Sequence, residues 1–213
     1  RRQRQMCIRD RIWAWTLAWW GSSFTSPLNA QRDLDSLHTW LLEMHPDPFV
    51  RCGEAAWSDA LDDTRSEWKV ASAMERILLA NKLLQVLQDS HTAVSAYDWI
   101  WAMEKRHGTI PIRWALEGRA LWVLDSGLPG LPEEVRVLAI NGREAELWID
   151  EALALSTMEG PSHSATARTG AHNITPWVLG STQQNSLTIT WVDAESGLPT
   201  TKTFDAVPLR HAR

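Results

Sequence analysis

The sequence has 213 residues, 44% of them hydrophobic and 22% charged, which excludes a disordered, collagen-like or multi-span membrane protein and predicts one large domain or two small ones. The net charge is −5, but residues 1–11 carry five Arg and one Asp, so the rest of the chain carries −9. A body this acidic binds polyanions poorly, which argues against nucleic acid as a partner.

Residues 1–30 differ from the rest of the chain. Residues 1–11 resemble translated sequencing-adapter sequence, and they also fit the basic n-region of a signal peptide. The apolar stretch 12–20 is shorter than the roughly 20 residues that span a bilayer, and small and polar residues follow it up to Ala30. This order favours a secretory signal cleaved near Ala30 over a buried N-terminal helix, so we expect a periplasmic or secreted protein with no membrane span. Beyond Ala30 the only cysteine is Cys52, so neither an intrachain disulfide nor a Cys-rich metal site is expected.

Residues 31–92 are predicted to form a helical N-terminal domain. Apolar residues at three- and four-residue steps predict a first helix that includes 34–44, and the prolines of His45–Pro48 end it, because proline disfavours helical geometry in the preceding residue. The same spacing predicts a second helix through 57–68. Ser72, with a glutamate three residues later, has the capping-box pattern and opens a third helix, whose wide apolar face predicts a central position.

Residues 93–108 are predicted to be a connection and residues 109–207 a small, mostly antiparallel β domain, so the predicted fold class is α+β. Alternating apolar residues predict the strands, and Glu117-Gly118 and Asn141-Gly142 are predicted turns. The predicted strands are 109–116, 119–124, 135–140, 186–192 and 200–204, and residues 145–155 are predicted to form a helix. Residues 156–184 are rich in Ser, Thr and Gly, a composition more typical of a loop, and their pattern assigns no element.

The most informative stretch is Asp89-Ser90-His91-Thr92, which follows the third helix. An imidazole on such a loop, beside an acid and two hydroxyls, can keep a near-neutral pKa and move protons. The structural alternative is a loop histidine that interacts with the C-terminus of the helix. His38 and His45 are seven residues apart, but no third ligand accompanies them, so we expect no metal and no cofactor.

Two sets of residues resemble the tail-specific, C-terminal-processing serine peptidase family, closest to the branch of the tricorn protease core. Its helical segment opens with a D-L-x-x-L…H-P pattern, which residues 33–46 match. That segment ends in a D-x-H-T or S-H-T element, and residues 89–92 match both forms. The resemblance implies that His91 is the catalytic general base and that Ser90 belongs to the same hydrogen-bonded tetrad.

Residues 126–142 resemble the A-G-L-x-x-G-D-x-V-x-x-I-N-G core of a PDZ-type domain, and a predicted helix follows them, as the PDZ pattern requires. PDZ domains bind peptide termini by adding a strand to a sheet edge. This sequence has extra residues between Gly130 and Val135 and no glycine-rich carboxylate-binding loop before Ile110. The resemblance therefore implies a PDZ-like module that shapes substrate access, and no substrate-binding residue is assigned.

In the family, the nucleophilic serine lies in a separate catalytic domain after the PDZ-like segment. Here Gly160-Pro161-Ser162 and Gly180-Ser181 match a nucleophile by letter only. We therefore expect the N-terminal portion of an exported serine endopeptidase that acts on protein or peptide substrates, with a C-terminal catalytic domain as its partner, and that is inactive alone. The alternatives are a non-catalytic peptide-binding or scaffold module, and an apolar-ligand carrier like the family's retinoid-binding relatives.

Overall fold

The computed structural model describes residues 27–89, 91–94, 96–156 and 163–208. Within these ranges, six helices and a six-stranded antiparallel sheet confirm the predicted α+β fold class. The chain divides between Thr92 and Ala93 into two compact units. Among the described residues, no helix combines the length and the apolar character needed to cross a bilayer.

The first unit contains three helices, α1 (Pro27–Met44), α2 (Glu54–Trp68) and α3 (Ala73–Gln85). The predicted capping box starts α3: the Ser72 side chain accepts the backbone N–H of Glu75, and the Glu75 carboxylate accepts the backbone N–H of Ser72. Apolar side chains from all three helices form the core of this unit, and those that are buried are Leu34, Leu41, Trp57, Leu61, Trp68, Ile77, Leu78, Ala80, Leu83 and Leu84.

The second unit is built on the sheet. Its elements in chain order are α4 (Ala96–His107), β1 (Ile112–Glu117), β2 (Ala120–Ser126), β3 (Val135–Ile140), β4 (Arg143–Glu144), α5 (Ala145–Ala154), α6 (His163–Thr182), β5 (Ser186–Val192) and β6 (Pro199–Asp205). The strand order is β1-β2-β3-β5-β6, with β4 paired to β3. One face of the sheet carries a buried apolar core, to which Leu121, Val123, Val137, Leu187, Ile189 and Trp191 belong.

Glycines occupy the turns of the sheet at positions where the backbone is left-handed. Glu117 pairs with Ala120 as the last rung of the first hairpin, so the turn residues are Gly118 and Arg119, one position beyond the predicted pair. Gly118 has φ +59°, a left-handed conformation that glycine adopts without strain. Asn141 and Gly142 also both have positive φ, as the predicted two-residue turn requires.

Two helices lie where the sequence pattern assigned none. Residues 93–108, expected to be a connection, contain α4, and most of the Ser/Thr-rich stretch 156–184 forms α6. Residues 170–180 are buried except for His172, so packing stabilises a helix whose Ser, Thr, Gly and Pro content disfavours it locally. Gly170 allows close packing, because a Cβ there would lie 2.9 Å from Cδ2 of Leu153.

Candidate functional site

The candidate site is the loop that follows α3 in the first unit. The left-handed conformation of Gln88, with φ +53°, marks the end of the helical segment. The next residue, Asp89, accepts the backbone N–H of His91 on Oδ1 at 3.1 Å, and its own carbonyl accepts the backbone N–H of Thr92 at 3.3 Å. A carboxylate that accepts the backbone N–H two residues ahead forms an Asx-turn, for which Asp is suited by its short side chain.

Asp89 is the centre of the hydrogen bonding in this loop. Its Oδ1 lies 3.3 Å from His91 Nδ1, and its Oδ2 accepts the Thr92 hydroxyl at 2.6 Å and lies 3.1 Å from His45 Nε2. Partial burial opposes ionisation of this carboxyl, but the hydrogen bonds from Thr92, the His91 backbone, His45 and the His91 ring outweigh it and lower the pKa of Asp89 to about 2. Asp89 is therefore an anion at any physiological pH.

His91 lies at the solvent edge of this cluster, with 79% of its side chain exposed. Because an ionised carboxylate can only accept hydrogen bonds, its contact with His91 favours a proton on Nδ1 and leaves the lone pair on Nε2. A neutral imidazole in this tautomer, oriented by a carboxylate and accessible from outside, can act as a general base. Ser90, the other predicted site residue, lies outside the described residues.

His45 joins the cluster from the end of α1, which the sequence reasoning did not predict. The helix ends at Met44, as the prolines after it predicted, and this places the His45 ring beside Asp89. A second contact lies six residues further along, where Arg51 Nη1 donates to the backbone carbonyl of Gln88 at 2.6 Å. The H-P pair in the sequence marked a helix end, but it gave no indication of a partner 44 residues away.

The remaining candidates are placed as follows. His38 accepts the indole N–H of Trp57 at 3.0 Å, and the two rings stack with centroids 6.0 Å apart, so this histidine packs within the first unit. Gly180 and Ser181 lie in the last turn of α6 and not in a strand-to-helix turn, while Ser162 lies outside the described residues. Among the residues that the structure describes, no three His, Cys, Asp or Glu side chains are grouped to hold a metal ion.

In the second unit, the PDZ-resembling segment adopts the order of elements that its pattern predicts. A loop with Gly130 at φ +81° connects β2 to β3, and β4 leads directly into α5 after the Asn141-Gly142 turn. Lys202 on β6 holds the loop by donating to the carbonyl oxygen of Pro129 at 2.8 Å. The local geometry is that of a strand, turn and helix, and the PDZ assignment itself stays a prediction.

Comparison with known proteins does not assign this chain to a family. No protein-family model matches this chain, and no curated protein matches it significantly. A crystal structure of a CPAF mutant is a distant structural neighbour, with a TM-score of 0.48 and 12% sequence identity over an alignment that covers 84% of this chain and 34% of that one. The chain thus spans about a third of that protein's length, and a similarity at this level assigns neither fold nor activity.

Proposed function

We propose that this chain is the N-terminal portion of an exported serine endopeptidase, in which His91 is the general base and Asp89 orients it. The observation that carries the proposal is the contact between the two side chains. An exposed imidazole lies beside a carboxylate with a lowered pKa, in the sequence motif that resembles the catalytic histidine element of tail-specific peptidases. Export is supported by the apolar and small-residue order of residues 12–30.

The proposed chemistry follows from the tautomer of His91. A serine hydroxyl from a downstream catalytic domain attacks the carbonyl carbon of a peptide bond, and its proton moves to His91 Nε2 as the new C–O bond forms. The imidazolium that results is stabilised by the Asp89 carboxylate. The imidazolium then returns the proton to the leaving amine as the C–N bond breaks. Water next attacks the acyl-enzyme, and His91 again acts as the base.

We assign the second unit a role in substrate access. The resemblance of residues 126–142 to a PDZ core supports a module that binds peptide chains. A second candidate function, non-catalytic peptide binding, is supported by the strand order, which places β1 and β6 at the two ends of the sheet. End strands can bind an extended peptide through backbone hydrogen bonds.

The test uses the polypeptide encoded by the complete reading frame and a fluorogenic peptide library. We expect His91→Ala to lower kcat/KM by roughly 10⁶-fold, as removal of a catalytic base does in serine peptidases. His172→Ala, which replaces an exposed histidine of α6, is the matched control and should retain wild-type activity. Residues 1–213 alone should show no turnover.

Turnover that survives His91→Ala contradicts the proposal. Saturable binding of peptides by a complete polypeptide that hydrolyses none of them would instead support the non-catalytic module. The two results are separated by measuring hydrolysis and binding on the same preparation.

A further inference from the structure

Two imidazoles share one carboxylate at the candidate site. His91 Nδ1 lies 3.3 Å from Oδ1 of Asp89, and His45 Nε2 lies 3.1 Å from Oδ2. The His45 side chain is largely buried, at 16% exposure, whereas His91 is open to solvent. The two histidines therefore occupy different environments although they contact the same group, and only His91 is placed to meet a substrate.

The direction of the His45 hydrogen bond is fixed by a backbone group. The N–H of Asp47 lies 3.2 Å from His45 Nδ1, and a backbone N–H can only donate. His45 Nδ1 must therefore carry the lone pair, which places the proton of the neutral ring on Nε2. The bond to Asp89 then runs from imidazole N–H to carboxylate oxygen.

The consequence is a carboxylate whose rotation is restricted on both sides. Oδ2 accepts from His45 and from the Thr92 hydroxyl, while Oδ1 accepts the backbone N–H of His91 and faces the ring of that residue. The contact from Arg51 to the carbonyl of Gln88 fixes the loop one residue earlier. Rotation of the Asp89 carboxylate away from His91 would break the bonds to Oδ2.

We propose that His45 is a positioning residue, which holds the Asp89 carboxylate so that the His91 ring keeps its proton on Nδ1 and its lone pair on Nε2. Its catalytic meaning rests on the proposed function, but the tautomer can be measured on the chain without any assay of hydrolysis. The residue acts through Asp89 and does not touch the substrate.

The experiment is long-range ¹H–¹⁵N NMR of the histidine rings in ¹⁵N-labelled residues 1–213, at a pH where the rings are neutral. In the wild type we expect His45 with its proton on Nε2 and His91 with its proton on Nδ1. His45→Leu should lower the ratio of Nδ1–H to Nε2–H tautomer at His91 roughly tenfold, the low end of the effect of losing one hydrogen bond to a charged group. His45→Gln keeps an N–H donor of similar reach and should restore the ratio.

Met44→Ala is the matched control, because it alters a half-exposed neighbour of His45 that makes none of these hydrogen bonds, and it should leave the ratio unchanged. An unchanged ratio in folded His45→Leu overturns the proposal. A wild-type spectrum with the His45 proton on Nδ1 would also overturn the proposal. This measurement does not depend on the folding of any variant. If the complete polypeptide fails to cleave peptides although His45 and His91 have the tautomers predicted here, that result would refute the proposed function but not the role of His45.

Discussion

Two carboxylates of this protein have similar exposure but different partners. Asp89 in the first unit is 24% exposed and accepts from two imidazoles and a hydroxyl, whereas Glu151 on α5 is 21% exposed and accepts from Arg143 and Trp177. Arg143 donates to both Glu151 oxygens, at 3.0 and 2.7 Å, and the Trp177 indole N–H donates at 2.7 Å. Burial alone does not distinguish these sites.

The difference lies in which donors can change their charge. A guanidinium stays protonated in proteins and an indole N–H does not titrate near neutral pH, so the donors to Glu151 keep their charge and hold α5, α6 and β4 together. An imidazole can be neutral or protonated, so the donors to Asp89 can exchange a proton while the carboxylate stays ionised. The chemistry of the donors therefore distinguishes a structural ion pair from a candidate catalytic one.

The largest effect on stability is expected at Glu151. Glu151→Ala leaves the Arg143 guanidinium and the Trp177 indole without their carboxylate, and we expect it to lower the free energy of unfolding by about 2–3 kcal/mol in urea denaturation. Glu146→Ala is the control on the same helix, because its partner Arg119 is exposed and its removal should cause no measurable change. Equal losses in the two variants would show that the Glu151 cluster is no more than a surface ion pair.

A smaller effect, and one that depends on pH, is expected at Asp89. The pKa of Asp89, about 2, lies below the ordinary value of 3.8, so the folded state stabilises the ionised form of this carboxyl relative to the unfolded chain. This contribution is complete above about pH 4 and is lost as the pH falls towards 2. We expect the wild type to lose about 1–2 kcal/mol in this window through Asp89.

Unfolding midpoints of wild type and Asp89→Asn between pH 2 and 5 measure this contribution. The difference in stability between the two proteins should shrink as the pH falls, because the variant has no carboxyl to protonate at this position. Parallel curves for the two proteins over the whole range would contradict the assignment of Asp89 as the acceptor of these bonds.

The smallest effect is expected at Thr92, whose hydroxyl donates to Asp89 Oδ2. Thr92→Val keeps the shape and removes the donor, so it should cost about 1 kcal/mol and raise the pKa of Asp89 towards its ordinary value. Thr92→Ser keeps the hydroxyl and is the matched control. A ¹³C NMR titration of the Asp89 carboxyl carbon measures the pKa. An unchanged pKa of Asp89 in the valine variant would show that the Thr92 hydroxyl does not donate to this carboxylate.

Local chemistry in the sequence predicted the parts of the fold that depend on near neighbours. The capping box at Ser72, the helix end at Met44 and the Asn141-Gly142 turn are interactions within a few residues, and each was predicted from residue type and spacing. The helix α6 was missed because its Ser, Thr, Gly and Pro residues oppose helix formation, and contacts distant in sequence stabilise it. One such contact is the bond from the Trp114 indole to Thr175.

The candidate site shows the same division. The motif placed His91 on a loop next to Asp89, and the Asx-turn that joins them follows from their two-residue separation. The contact of His45 with Asp89 depends on how the end of α1 and the end of α3 meet within the first unit, which no local pattern encodes. The partner that orients the carboxylate therefore became apparent only from the structure.

The capping box at Ser72 has a consequence for the position of the site. It fixes the first residue of α3, and from there 13 helical residues, about 20 Å of rise, lead to the segment that carries Asp89. The length of the helix therefore sets both the distance of the Asp89 loop from Ser72 and its rotational position around the helix axis. Insertion of one residue within it would turn the Asp89 loop by about 100° around the helix axis and out of reach of His45. Substitutions on its exposed side leave this phase unchanged, whereas a change in its length does not.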